Sequence, residues 1–158
     1  REGVSPALRI ATALGIATVI AIPAEGIRQR VYLDSGGTPT VCIGATRDID
    51  PNKVYTIEEC RDKFDRDMLD AVEAVERCVP GLPVNVLAAM SDAVYNIGER
   101  IVCDTRTSTL ARLLRAGDIE GACRQLIHWT RARIAGVMVE LPGLVKRRKR
   151  EMELCLQH

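Results

Sequence analysis

The sequence predicts an α+β fold: a small β-hairpin lobe beside a mainly helical body, with an apolar helix at the N-terminus. Three observations predict it. Residues 10–24 carry no charge, and two short β-like runs flank a Gly-rich turn at residues 34–38. From Thr56 onward, apolar residues recur at three- and four-residue steps. At 158 residues the chain is long enough to bury a sizeable core.

The first element is the run from Ile10 to Ala24. Eight of its 15 residues are Ala, Thr or Gly, and as a helix it spans about 22 Å, short of the roughly 30 Å hydrocarbon core of a bilayer. It is a marginal span. A cleaved signal peptide would have to be cut after Ala24, which would leave Glu25 as the terminus. A buried core helix is a second reading. The preferred one is a transient anchor over residues 1–24, whose residues 5–24 enter the inner membrane and later leave it, followed by a catalytic domain over 25–158.

Next comes the hairpin. Arg30–Leu33 and Pro39–Ile43 flank Asp34-Ser-Gly-Gly-Thr38, and no strand pattern is expected after Ile49. Thr56 and Glu59 then form a T-x-x-E capping box, and Ile57, Cys60, Phe64, Met68, Val72 and Val75 make one apolar stripe. Pro80 and Pro83 end that helix. A buried helix is expected from Val84 to Tyr95, closed near Gly98, and another from about Thr107 to Arg115. Asp118 is the expected N-cap of the next. After Leu141-Pro142-Gly143 a last, basic helix comes, with Lys146–Arg150 read as a solvated face or as an attraction for anionic wall polymers.

Composition narrows the function. A net charge of +1 gives no strong pull toward nucleic acid, and with 3% aromatics there is no broad stacking platform. Six cysteines are present, without a C-x-x-C, and the histidines are His128 and His158, so neither zinc spacing nor another metal site is expected. Reduced buried thiols and a Cys–His nucleophile are weaker readings than disulfides in an oxidising compartment. Six cysteines allow fifteen connectivities. The simplest joins chain neighbours, Cys42–Cys60, Cys78–Cys103 and Cys123–Cys155, each worth on the order of 3 kcal/mol in the chain-entropy view.

One constellation carries chemistry. Breaking a glycosidic bond needs a proton for the leaving oxygen and a negative group facing the oxocarbenium charge. A polar group that holds the attacking water in line helps further. Glu25 lies where the apolar helix meets the hairpin, a place where partial desolvation favours the protonated acid. Asp34 lies in the hairpin turn and Thr40 on the returning strand, so a tight hairpin gathers all three on one cleft wall. Chance would place Glu-x8-Asp-x5-Thr about 0.04 times in a shuffled chain of this composition.

That spacing resembles the catalytic pattern of phage-type lysozymes (glycoside hydrolase family 24). The resemblance extends through Glu25-Gly26, Thr40-Val41-Cys42-Ile43-Gly44, Tyr95-Asn96-Ile97-Gly98 and Ser108-Thr109-Leu110. It continues through Ala116-Gly117-Asp118, Ala122-Cys123, Trp129 and Gly143–Arg148 with Glu151 and Cys155, covering about residues 25–156. With the weak N-terminal span, the chain most resembles the signal-anchor-release endolysins of phages infecting Gram-negative hosts.

The resemblance implies a lysozyme-like fold and hydrolysis of the β-1,4 bond between N-acetylmuramic acid and N-acetylglucosamine. Glu25 would be the general acid, Asp34 the electrostatic or base partner, and Thr40 the water-positioning residue. Tyr95 and Thr109 match substrate-contacting positions. The expected partners are peptidoglycan glycan strands and, transiently, the inner membrane, with release to the periplasm; a monomer without cofactor is expected. The sequence departs from the family at Ala45-Thr46, where many relatives carry a histidine, and at Arg131–Val139, which replaces the usual Gly-Lys stretch. The rival classes are a lytic transglycosylase and a non-catalytic wall-binding protein on the same scaffold.

Overall fold

The structure, a computed structural model, describes residues 5–158; the first four residues of the expected anchor lie outside the described residues. Helix α1 runs Pro6–Glu25, with the Ser5 hydroxyl accepting the Leu8 N–H at 3.2 Å and Pro6 at the first helical position, where its missing donor costs nothing. Its 20 residues exceed the charge-free run because Pro6–Arg9 and Glu25 are also helical, so its length is about 30 Å. Pro23 sits inside the last turn, and Gly26 closes the helix at φ 69°.

Strands β1 (Arg28–Leu33) and β2 (Pro39–Cys42) pair antiparallel, with Tyr32 opposite Thr40 and Leu33 opposite Pro39. Between them Asp34 N–H donates to Thr38 O at 3.0 Å and Gly37 N–H to Asp34 O at 2.9 Å. After β2 the chain reverses at once. Val41 and Ala45 exchange both backbone hydrogen bonds at 2.9 Å, which forces Cys42 and Gly44 to φ 61° and 70°.

The body begins with α2 (Ile57–Cys78), whose Thr56–Glu59 capping box is formed in both directions. Helix α3 (Val84–Ile97) packs against α1, α2 and the last helix, α7 (Pro142–Cys155), and every residue from Val86 to Val94 is buried. Between α3 and α7 lie α4 (Arg100–Cys103), α5 (Thr109–Arg115) and α6 (Ile119–Gln125), the last capped by Asp118. The main core gathers around α3; Phe64, Met68, Leu87, Met90, Ile101 and Leu110 are its bulk. A satellite core of Val41, Cys42, Ala45, Tyr55 and Cys60 lies under the hairpin.

Helix α1 joins the main core through Ala13, Ala17, Ile20 and Ala21. Small side chains on that face let the backbones of α1 and α3 approach closely. Arg9 adds a polar clasp, both its Nη atoms donating to Glu76 Oε2 of α2 at 2.9 and 2.6 Å.

Three disulfides staple the chain. Cys42–Cys60 ties β2 to α2, Cys78–Cys103 ties α2 to α4, and Cys123–Cys155 ties α6 to α7, with Cα separations of 4.8, 5.3 and 5.6 Å.

Two expectations are corrected. A second hairpin, β3 (Arg131–Ile134) with β4 (Val137–Glu140), stands where no strand was expected. Its turn uses Ala135 and Gly136 at φ 49° and 81°, as a tight two-residue hairpin loop requires. It escaped sequence reading because Val137, Met138 and Val139 are all exposed, so no face alternates toward a core. The basic run of α7 is likewise not a purely solvated face: Lys146, Lys149 and Arg150 are exposed, but Arg147 and Arg148 are buried.

Candidate active site

Glu25 ends α1 at the junction of hairpin and body, with its side chain 19% exposed. Its Oε1 accepts hydrogen bonds from Arg147 Nη1 of α7 and, at 3.5 Å, from Asn96 Nδ2 of α3. The other side of the carboxyl lies against Gly44, where a Cβ would stand 2.6 Å from Glu25 Cδ. Three separate segments therefore fix one carboxyl group.

Asp34 is exposed in the hairpin turn. Its Oδ1 accepts the N–H groups of Gly36 at 2.9 Å and Thr38 at 2.8 Å, so the carboxylate also holds the turn together. Thr40 is buried, and its hydroxyl donates to Thr38 O at 2.9 Å. Side chains two apart on a strand share a face, as do directly paired residues. Tyr32 thus shares a face with its direct partner Thr40, while Asp34 lies beyond the end of β1, in the turn.

Tyr32 also reports its neighbours. Burial first, then the charge of Glu25, raises its phenol above the ordinary value; Arg28, whose guanidinium lies 4.5 Å over the ring, acts in the opposite sense, and Asp34 adds to the rise. One phenol thus lies in the field of both carboxylates. Sequence reading passed over it, since an isolated Tyr in a strand carries no signal of its own.

A groove of about 650 Å³ is lined by Gly44–Arg47 after the hairpin, by Asp67, Asp70 and Ala74 of α2, and by Tyr95–Glu99; it touches Glu25 only through Gly44 and Asn96, and Asp34 and Thr40 do not line it. Tyr95 is half-buried on its wall: the ring meets Phe64 edge-on at 5.3 Å, and the hydroxyl donates to Ile43 O. Burial, then Glu25, raises its phenol well above the ordinary value. Thr109 lies elsewhere, exposed at the start of α5, where its hydroxyl accepts from Arg112 Nη2 at 2.8 Å; it is not among the residues lining this groove. Arg47 spans the α2 side of the groove with ion pairs to Asp67 and Asp70 at 3.4 and 3.1 Å.

Behind Glu25 lies a buried ionic layer that sequence reading missed. Arg147 donates Nε and Nη2 to Asp92 at 2.9 and 2.7 Å, and Arg148 donates Nη2 to Asn96 Oδ1. Arg147, Arg148 and Glu151 belong to the stretch that resembles the family, but a run of basic residues is ordinarily solvated and gave no sign of the layer.

The phage lysozyme family model matches residues 23–151, from two residues before Glu25 to Glu151. The chain belongs to the phage lysozyme family. As a member it is a glycoside hydrolase of the lysozyme class. It is similar to the SAR-endolysin of Bacteriophage PS119, 38% identical over 134 residues that cover 84% of this chain and 76% of the relative. It is also similar to the SAR-endolysin of Pseudomonas phage phiKMV, 33% identical with coverage of 93% and 89%. Among solved structures, the fold of this phage lysozyme family member resembles the active form of P1 phage endolysin Lyz, with a TM-score of 0.76 at 22% identity over 98% and 94% of the two chains. The muramidase domain of SpmX from Asticaccaulis excentricus is also similar, with a TM-score of 0.74 at 25% identity over 99% of each chain.

Proposed function

We propose that this family member hydrolyses the β-1,4 bond between N-acetylmuramic acid and N-acetylglucosamine. Family and relatives make it an endolysin that degrades peptidoglycan and lyses the host cell. In the proposed mechanism Glu25 protonates the leaving oxygen, Asp34 faces the oxocarbenium charge or activates water, and Thr40 holds that water. The reading rests on one observation: Glu25 ends the helix that leads through Gly26 and Ile27 into the hairpin of Asp34 and Thr40, with its carboxyl held by Arg147 and Asn96. Gly44 and Asn96, which lie against the Glu25 carboxyl, also line the neighbouring groove.

The test is peptidoglycan digestion by wild type and Glu25→Gln, with product ends analysed. Loss of the acid is expected to cost at least about 100-fold, with reducing ends from the wild type. A 1,6-anhydro end would instead make the chain a lytic transglycosylase. An inactive wild type would make it a wall-binding protein, and undiminished Glu25→Gln would remove Glu25 from the mechanism.

The same reading assigns residues 1–24 to a membrane anchor and 25–158 to the catalytic domain. Helix α1 is long and apolar enough to cross a bilayer, with mean hydropathy 1.8. It docks on the body by a narrow face, and only 22% of its most apolar stretch is buried, so both a lipid-bound and a docked state are reasonable for it. In the bilayer, Glu25 would be pinned at the lipid surface, away from the strands it cuts; collapse of the membrane potential would free α1 to dock on α3 and release the enzyme to the periplasm. A chain recovered only from the soluble fraction before lysis would rule this out.

A further inference from the structure

The C-terminal motif of α7, Arg147-Arg148 with Glu151, has no part in the proposed mechanism, yet its members are among the most buried charged groups in the molecule. Arg148, Glu151 and Asp92 are fully buried and Arg147 is 5% exposed. Two arms lead from this layer to the same oxygen, Glu25 Oε1. One runs from Asp92 through the two-pronged bond to Arg147, whose remaining Nη1 donates to Glu25. The other runs from Arg148 to Asn96 Oδ1 and from Asn96 Nδ2 to Glu25. Glu151 lies between the arms, 3.2 Å from Arg148 Nε and 4.0 Å from Arg147 Nε, without hydrogen-bond alignment to either.

We propose that Asp92 is a positioning residue for the Glu25 reaction, acting through Arg147: it aims the guanidinium at Glu25 and shares its positive charge. The inference rests on the assignment of Glu25 as the general acid. A general acid needs its proton, and an arginine in contact with it opposes protonation by favouring the carboxylate. Asp92 occupies two of the three donor positions that Arg147 uses and supplies a full counter-charge. Arg147 can therefore hold Glu25 in place while only part of its charge acts on it.

Burial, together with the neighbouring Asp92 carboxylate, raises the Glu151 carboxyl well above its ordinary range. Burial alone would raise Asp92 too, but its two hydrogen bonds from Arg147 hold it below the ordinary value. The remaining titratable groups that face Glu25 are Tyr32 of β1, with Arg28 and Asp34 beyond it, and Tyr95 of α3, with Asp67 of α2 beyond it. None of these supplies a second cation in contact with Glu25.

The experiment is the pH profile of kcat and KM on peptidoglycan for wild type, Asp92→Asn and Glu151→Gln. Without the Asp92 charge, Arg147 favours the Glu25 carboxylate more strongly. The alkaline limb is then expected to move down by about one pH unit, lowering kcat about tenfold at neutral pH with KM within about twofold. Glu151→Gln keeps a neutral donor toward Asp92 and is expected to leave the limb in place. An Asp92→Asn limb that coincides with wild type, or a Glu151→Gln limb displaced as far as that of Asp92→Asn, overturns the proposal. Should Asp92→Asn fail to fold, carboxyl carbon NMR of the wild type decides. An Asp92 resonance that remains a carboxylate across the activity limb supports it, and an Asp92 that takes up a proton there overturns it. An inactive wild type or an active Glu25→Gln would sink the catalytic assignment itself; an inactive Glu25→Gln with an unmoved Asp92→Asn limb sinks this inference alone.

Discussion

The Glu25 carboxyl occupies the space that a side chain at Gly44 would need: a Cβ there would stand 2.6 Å from both Cδ and Oε2 of Glu25. Gly44→Ala therefore has two separable effects. At φ 70° a non-glycine residue costs about 1–2 kcal/mol of stability. The carboxyl, at the far end of its side chain, must swing aside and so gives up its position and its bonds from Arg147 and Asn96. Activity is expected to fall about 100-fold while the fold survives, measured as turnover beside a thermal melt.

Asp34 has two possible roles, and substitution separates them. Asp34→Asn keeps an oxygen to accept the Gly36 and Thr38 N–H groups, so the melt is expected to stay within about 0.5 kcal/mol while activity drops. Asp34→Ala loses both bonds and is expected to destabilise the turn by about 1–2 kcal/mol as well. Equal activity in Asp34→Asn and wild type would reduce Asp34 to a turn residue.

Much of this was legible in the sequence. The Thr56–Glu59 box, the α2 stripe, the Asp118 cap and the first hairpin arise from local chemistry, because each depends on residues within a few positions of one another. The proposal of Glu25, Asp34 and Thr40 comes from spacing within one hairpin and its preceding helix. Arg147 was not. It lies 122 residues from Glu25, and burial turns a basic residue from a solvated charge into an organising one only once α3 and α7 have packed. The second hairpin was missed for the opposite reason, since its strands bury too little to leave a pattern.

The raised Glu151 carboxyl has a sign that can be checked. The folded state retains a proton that the unfolded chain releases near pH 4.5, so this contribution is fully present below that value and is lost as pH rises toward the folded-state value. Wild-type stability relative to Glu151→Gln is expected to fall by up to about 1 kcal/mol per pH unit above pH 4.5, read from denaturant melts. A constant difference across pH would show that Glu151 is ionised in the fold.

The Cys42–Cys60 bond closes an 18-residue separation at the base of the catalytic hairpin. The double variant Cys42→Ser, Cys60→Ser is expected to lose about 3 kcal/mol. Activity is expected to fall further than the melt explains, because Cys42 lies two residues from both Thr40 and Gly44.

Ala17 is fully buried where α1 meets the body. Ala17→Leu overpacks that contact and is expected to cost about 1–3 kcal/mol in the docked enzyme. It also makes the segment more apolar, so membrane fractionation is expected to show a larger bound share before lysis.

Glu25 is the last residue of α1 rather than the first residue of a loop beyond it. The rod that would dip into lipid and the proton donor are thus one rigid piece, with no slack between address and chemistry. Each helical residue is rotated by about 100° from the one before it. A foreign span grafted onto this enzyme would have to match α1 in rotational phase as well as in length, since one added residue would aim the acid away from its sugar.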